Sequence, residues 1–337
     1  MRDDGVMHAA FIEQLGSPDV IRYGELPAPR PGPSDVLVDV AATTVNPVDT
    51  FVRSGVFRTP LDFPFVISRD LVGTVAETGG DVRGFAPGQL VWCNSLGHGG
   101  RQGAAAERAV VPADRLYPLP DGVDPRTAVA VVHPAATAYL GLFTHGRLRA
   151  GETVVVAGGA GNVGGALVAL AAWAGARVIA TARPGDFEHC RALGAAEVVD
   201  YRAEDQWERI RAAAPDGVDV YTDTSGRNDL ARAVGTLAVR GRVVVLAGSG
   251  SRPTLPAGEL YMKDGSVVGF VISRARVAEL AEAADVINTL LAGGLLRPRA
   301  TEVLPLAAAG EVHRRMERGE LNARRVILRP AGAAPAR

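Results

Sequence analysis

Three glycines, Gly159, Gly161 and Gly164, complete a G-x-G-x-x-G pattern inside Gly158-Gly159-Ala160-Gly161-Asn162-Val163-Gly164. The chemistry such a loop serves is the holding of a pyrophosphate. Gly159 is expected to permit the tight turn, Gly161 to let backbone approach the phosphates, and Gly164 to let the next helix pack close on the preceding strand. The helix N-terminus then offers unpaired N–H groups and the positive end of its dipole. A second feature concerns the ribose. An acid about 20 residues past the glycines would bond a ribose 2′-hydroxyl, but the corresponding strand ends Ala180-Thr181-Ala182-Arg183-Pro184 with no acid. Arg183 can fork onto a 2′-phosphate, and Tyr201, past the following strand, adds a hydroxyl on the same side. Thr181, Arg183 and Tyr201 are therefore the expected ribose end, and NADPH the expected cofactor. The bland reading of Arg183 is a solvated arginine, in a chain whose sole lysine is Lys263.

The elements around the loop support a dinucleotide site. Val154-Val155-Val156 is a β-branched run ahead of the glycines, and Val163 to Trp173 reads as a helix behind them. From Thr153 onward strand and helix alternate. Strands are expected at 177–181, 197–200, 218–223, 242–247 and 266–272, with helices at 187–193 and 228–238, which describes a doubly wound parallel sheet. Residues before about Val123 read instead as short strands punctuated by Gly and Pro, at 36–40, 71–76, near 92 and at 108–112, with no alternation of helix and strand. Thr127 to Leu142 reads as a helix interrupted at Pro134. Val277 to Ala292 is a further helix, 325–328 a last strand, and Pro330 to Arg337 a loose end.

Composition excludes several classes. The 337 residues favour two domains, and 47% hydrophobic residues suffice for substantial cores. The 36 basic and 37 acidic side chains nearly cancel, so no nucleic-acid or membrane-surface partner is expected. No apolar run looks like the ~20 residues that cross a bilayer, and Met1-Arg2-Asp3-Asp4-Gly5 lacks the apolar stretch of a secretory signal. Cys93 and Cys190 stand far apart, as small buried thiols in a reducing cytoplasm would.

Taken together, the chain resembles the zinc-independent quinone oxidoreductases of the medium-chain dehydrogenase/reductase superfamily. The markers are 32–38 (Gly-Pro-Ser-Asp-Val-Leu-Val), 45–49 (Val-Asn-Pro-Val-Asp), 72–75 (Val-Gly-Thr-Val), 87–91 (Pro-Gly-Gln-Leu-Val), Thr137-Ala138-Tyr139, the glycine loop, and Leu193-Gly194-Ala195. The resemblance implies a GroES-like β-barrel domain, residues 1–125 with 273–337, and a Rossmann NADPH-binding domain, residues 126–272. It implies a cleft that joins nicotinamide and substrate, and a homodimer made through the strand near Val267 to Val271. It places Asn46, Asp49, Thr137 and Tyr139 among catalytic candidates. Asn46 is also a natural turn residue before Pro47, Asp49 a helix cap, Thr137 a helix-interior residue and Tyr139 a core tyrosine. Cofactor contacts are implied for Gly248, Ser249, Phe270, Ile272, Asn322 and Arg325. Related alcohol dehydrogenases hold zinc through a Cys and a His, but 46–50 (Asn-Pro-Val-Asp-Thr) and 67–70 (Ile-Ser-Arg-Asp) contain neither, so no zinc site is expected.

The implied reaction is hydride transfer from NADPH to a quinone or conjugated enone, without metal. Three departures bear on the substrate. Phe57 stands where many relatives have a tyrosine, Ser68-Arg69 where they have Gly-Ser, and Ala105 where an aromatic is frequent. A roomier, apolar pocket for a bulky quinone or polycyclic enone is the expectation, with Arg69 or His133 supplying polar contact. For Arg69 the plainer reading is an ion pair with Asp70 or a solvated position, and for His133 a satisfied, half-buried histidine. The alternatives are an enoyl-thioester reductase, which Phe57 disfavours, a non-redox cyclase, isomerase or lyase, and a nucleotide-binding structural protein.

Overall fold

Val154, Val155 and Val156 lie side by side in the middle of a six-stranded parallel sheet, where both faces are covered and β-branched residues fit. The computed structural model describes residues 5–321 and 323–332. In chain order they form β1 (Val6–Ile12), β2 (Arg22–Pro27), β3 (Asp35–Thr44), α1 (Pro47–Ser54), β4 (Phe65–Val66), β5 (Asp70–Thr78), β6 (Leu90–Cys93), β7 (Arg108–Pro112), β8 (Tyr117–Pro118) and α2 (Pro125–Tyr139). There follow β9 (Thr153–Ala157), α3 (Asn162–Trp173), β10 (Arg177–Ala182), α4 (Phe187–Ala192), β11 (Glu197–Asp200), α5 (Gln206–Ala213), β12 (Val218–Asp223), α6 (Leu230–Thr236), β13 (Leu237–Val245), α7 (Ala257–Met262) and β14 (Ser266–Gly269). The last elements are α8 (Val277–Ala292), β15 (Ala300–Pro305), α9 (Ala309–Glu317) and β16 (Arg324–Arg329).

The chain divides into two units, one of residues up to His133 with those from Leu280 on, the other Pro134–Glu279. In the second unit the strand order is β11-β10-β9-β12-β13-β14, all parallel. Numbered by appearance this is 3-2-1-4-5-6, the Rossmann order, and direction reverses between β9 and β12. The loops after those two strands therefore flank the switch point where such sheets bind ligands. Helix α3 is buried from Gly164 through Ala171, as an all-round apolar helix must be.

In the first unit β3 is the organising strand. It pairs antiparallel with β5, β7 and β16. Val36, Val38 and Val40 alternate into a core with Leu71, Val75 and Val91. A three-stranded sheet of β2, β1 and β4 adds Met7, Ala9, Phe11 and Phe65 to a second core with Val52 of α1 and Val312 of α9.

Three expectations need correction. The boundaries fall at 133/134 and 279/280 rather than 125/126 and 272/273, inside α2 and α8. The late turns of α8 belong to the first unit because Asn288 Oδ1 accepts from Trp92 Nε1 at 2.9 Å and its Nδ2 donates to the Pro118 carbonyl at 3.1 Å. Among the first 123 residues the helix is α1, capped by Asn46 with Asp49 in the capping box and Pro47 at its first position, and ended by Gly55 at φ 80°. Helix α2 is not interrupted at Pro134 but runs on to Tyr139 and a wider π-type turn, Leu140–His145. Together Pro125–His145 is a 21-residue helical stretch apolar enough to cross a membrane, contrary to the composition reading, yet 78% of its apolar window is buried within the fold. The loose end from Pro330 extends beyond the described residues after Gly332.

One buried group makes stability depend on pH. His313, on α9, is 0% exposed, and neither ring nitrogen has a hydrogen-bond partner. Burial, with the Arg53 guanidinium nearby, pulls its pKa down to about 3. The folded protein thus keeps the ring neutral while the unfolded chain protonates it near pH 6.5. Stability from this group is intact above pH 6.5 and is lost as pH falls toward 3, at about 1.4 kcal/mol per unit. Urea unfolding at pH 7 and pH 5 should show an excess loss of about 2 kcal/mol in the native protein, absent in His313→Leu.

Candidate functional site

The glycine loop sits between β9 and α3, and its conformation explains each glycine. The left-handed residue is Gly158, at φ 84°, not Gly159. A Cβ on Gly159 would instead meet the Ala180 Cβ of β10 at 2.8 Å, so this glycine serves strand packing. A Cβ on Gly164 would meet the Gly158 carbonyl oxygen at 2.0 Å, which is the close helix approach expected of it. Gly161 differs. Its φ is −75° and an added Cβ meets only the Gly158 oxygen, at 3.3 Å. That contact is tight but far looser than those at the other three glycines, and the space beyond it suits a phosphate lying against backbone.

The surroundings fit the same group. Gly161 is the N-cap of α3 and brings no side chain to its first turn, so the N–H groups of Asn162, Val163 and Gly164 are the natural anion ligands. Ala160 forms the turn ahead of them. Thr181 is buried and works from behind, its Oγ1 accepting from Gly158 N at 3.2 Å and its carbonyl from Gly159 N at 2.9 Å. It braces the loop rather than facing a ligand. Thr224, after β12, donates to the Ala157 carbonyl at 2.8 Å, with its Oγ1 only 2.4 Å from where a Gly158 Cβ would stand. The two loops at the switch point are thereby locked together.

Arg183 follows β10, and its side chain is half exposed, with Nε 3.3 Å from Asp186 Oδ2. Tyr201 follows β11, in parallel register with β10, so both side chains leave the same sheet edge. Arg202, beside Tyr201 with its guanidinium 5.7 Å from the ring centroid, is a second cation there. Gly248 and Ser249 follow β13 and Phe270 follows β14, at the same end of the sheet. Phe270 stacks on His145, centroids 4.5 Å apart, and Ile272 is buried. Asn322 lies outside the described residues.

The first unit holds a buried polar cluster. Asp70, at the start of β5, is 0% exposed. Its Oδ2 accepts from Thr44 Oγ1 at 2.8 Å and Asn46 Nδ2 at 2.7 Å, with Arg325 Nη2 at 3.7 Å. Its Oδ1 lies 3.4 Å from His133 Nδ1, long for a hydrogen bond. Burial is the largest influence on Asp70 and pushes it up, but His133, Arg325 and Asn46 together outweigh it, leaving the carboxyl below its ordinary value. Asp49 Oδ2 caps the Asn46 amide at 2.7 Å, and its Oδ1 meets Arg69 Nε at 3.3 Å. Burial pushes Asp49 up, with Arg69 opposing. Two nearby oxygens, Ser68 Oγ and Asn94 Oδ1, are buried without hydrogen-bond partners, and Ser68 is held at φ 70°. Strain and unmet polarity of this kind collect at functional sites.

These contacts revise several expectations. Arg325 is not placed as a cofactor ligand, because its 3% exposed guanidinium is spent on Ala130, Val45, Thr44 and Asn46. Arg69 pairs with Asp49, and His133 is 6% exposed rather than half-buried. Asn46 accepts from Arg325 at 3.0 Å and donates to Asp70, so the cluster fixes the orientation of its amide, and Asp49 holds its backbone. Ala105 is fully buried in the second core, with Phe57 packed on it. Ala105 is thus a packing residue, while Phe57 is partly buried against the same core. Tyr139 packs on Phe143, centroids 4.9 Å apart, and Thr137 is half-buried on α2. Asp70 as the hub escaped the sequence reading. Its signal is an Arg-Asp pair set in the apolar run from Phe65 to Val72, where charges must find partners.

Two family models match the chain, a zinc-binding dehydrogenase over residues 162–289 and an alcohol dehydrogenase GroES-like domain over residues 32–121. The rat (Rattus norvegicus) quinone oxidoreductase is 31% identical over 313 residues, covering 91% of this chain and 93% of that protein. The crystal structure of an NAD-dependent alcohol dehydrogenase aligns with a TM-score of 0.86 at 30% identity, over 96% of this chain and 99% of the other. A mycobacterial protein solved with NADPH aligns with a TM-score of 0.79 at 30% identity, over 96% and 100%. One is NAD-dependent and the other was solved with NADPH, so likeness alone does not choose the dinucleotide. No group of three His, Cys, Asp or Glu side chains suited to a metal ion occurs among the described residues.

The loop geometry separates two substitutions. Gly164→Ala forces a backbone clash and should cost about 1–3 kcal/mol of stability. Gly161→Ala should leave the melting temperature nearly unchanged yet weaken nucleotide binding roughly tenfold or more, because the methyl occupies the phosphate approach. Calorimetric unfolding and isothermal titration with NADPH measure the two effects.

Proposed function

We propose a metal-independent reductase of quinones or conjugated enones that uses NADPH, on this footing: the chain belongs to the quinone oxidoreductase family of the medium-chain dehydrogenase/reductase superfamily. A nicotinamide-dependent oxidoreductase comes with that membership. The observation that carries the finer reading is the glycine loop, with backbone amides of α3 presented at the Gly161 space and Arg183 and Tyr201 at the adjacent strand ends.

When bound, NADPH supplies the hydride; the protein holds and aligns it. Gly161 and the first-turn amides of α3 take the pyrophosphate, and Arg183 and Tyr201 take the 2′-phosphate. Asp186 holds Arg183 at the edge of its reach without burying it, so the guanidinium can still turn to an incoming phosphate. On reduction, negative charge develops on the acceptor oxygen and must be met by a donor or a proton. The metal-free reading draws on the donor set: Asn46, Arg69 and His133 in the polar cluster do not make a zinc-binding trio. The bulky acceptor expected from Phe57 and Ala105 loses support at Ala105, which is fully buried in the core, so the proposal stays at quinone or conjugated enone.

We also propose a homodimer in a reducing cytoplasm. Strand β14 ends its sheet, and Val239, Tyr261 and Met262 are 72%, 80% and 77% exposed, an apolar surface that a second copy would cover. Cys93 and Cys190 are buried and not joined in a disulfide.

The test is NADPH absorbance followed with quinones, enones and enoyl thioesters in parallel. Quinone- or enone-dependent oxidation supports the reading, and tight NADPH binding with no turnover on any acceptor overturns it. Arg183→Ala should raise KM for NADPH roughly tenfold while leaving KM for NADH unchanged.

A further inference from the structure

Proline has no amide hydrogen, so Pro134 leaves the Ala130 carbonyl, four residues earlier on α2, without its helical donor. Helices usually kink or stop at such a place. Here α2 continues to Tyr139, and the missing donor is replaced. Arg325 Nε donates to the Ala130 carbonyl at 2.9 Å, from a strand 195 residues further along the chain. The same guanidinium donates through Nη1 to the Val45 carbonyl at 3.3 Å, and through Nη2 to Thr44 Oγ1 at 2.7 Å and Asn46 Oδ1 at 3.0 Å. Four of its five N–H groups thus have acceptors. Its charge stands 3.7 Å from Asp70 Oδ2, the atom to which Thr44 and Asn46 also donate.

We propose that Arg325 is a positioning residue: one guanidinium repairs the helix at Pro134 and fixes the Asn46 side chain against Asp70. The inference rests on the reductase reading for its kinetic part only. Asn46 Oδ1 faces Arg325 and Nδ2 faces Asp70, so the amide has one orientation; reversing it sets donor against donor. His133, immediately before Pro134, is 3.4 Å from Asp70 Oδ1. The repaired turn and the carboxylate therefore hold His133 in place together. A lysine cannot substitute, because one ammonium cannot serve acceptors spread around a planar fork.

A double-mutant cycle tests this. Pro134→Ala restores a backbone donor to Ala130, so Arg325→Met should lower Tm by less in the Pro134→Ala background than in the native one, by roughly 2–4 °C. With a quinone or enone acceptor, Arg325→Met should lower kcat roughly tenfold while the Kd for NADPH from titration stays within about twofold, and Arg325→Lys should not restore kcat. Equal Tm losses in the two backgrounds overturn the link to Pro134. A large rise in the Kd for NADPH with unchanged kcat overturns the positioning role and makes Arg325 a cofactor contact. Where Arg325→Met does not fold, Arg325→Lys in both backgrounds carries the same comparison. If the native protein reduces no acceptor, the reductase reading fails, while the Tm cycle and the NADPH Kd still decide the role of Arg325.

Discussion

A carboxylate sealed from water governs the first unit. Asp70 has no exposed surface, and an ion in that state survives only if the protein replaces its hydration shell. The replacement comes from four separate elements: Thr44 at the end of β3, Asn46 at the cap of α1, His133 on α2 and Arg325 on β16. Each is fixed by the demand of one oxygen pair, and each brings further bonds that align its own element. Truncating any one would leave the others facing a stranded charge, so the cluster behaves as a unit.

The second unit is organised by a different constraint, the close approach of neighbouring elements to the loop backbone. Gly158, Gly159 and Gly164 are glycines because other atoms already occupy the space their side chains would need. Gly161 is the one glycine of the loop where an added Cβ meets a neighbour no closer than 3.3 Å. That contrast separates what the fold requires from what a ligand requires, and it comes from atoms rather than from the motif.

What could be read in the residues follows the range of the interactions. Strands β11 and β12 and helix α8 match their expected spans, because local patterning and short connections decide them. Helix α1 carried a local signal too, since Asn46-Pro47-Val48-Asp49 is a cap, a first-turn proline and an acid, but it lay among strand-like segments. The passage of α2 through Pro134 was not readable, because its remedy comes from Arg325. The partners of Arg69, the hub role of Asp70 and the core placement of Ala105 likewise depend on residues distant in sequence. The motif located the nucleotide loop, yet which glycine turns left-handed depends on how β9 meets β10.

The strand that carries Arg325 pairs with β3, joining Leu328 to Thr43 and Ile327 to Thr44, and the bond from Arg325 to Asn46 spans 279 residues. A ribosome releases these partners at opposite ends of its work. The parallel sheet between them is complete in sequence before β16 emerges, so it can fold while the earlier unit still waits. Until then the end of β3 at Thr43 and Thr44 lacks its partner strand and Asp70 lacks its guanidinium. The nascent chain therefore passes through a stage in which one half is finished and the other is an open sheet, the interval when chaperone capture or mispairing has its opportunity.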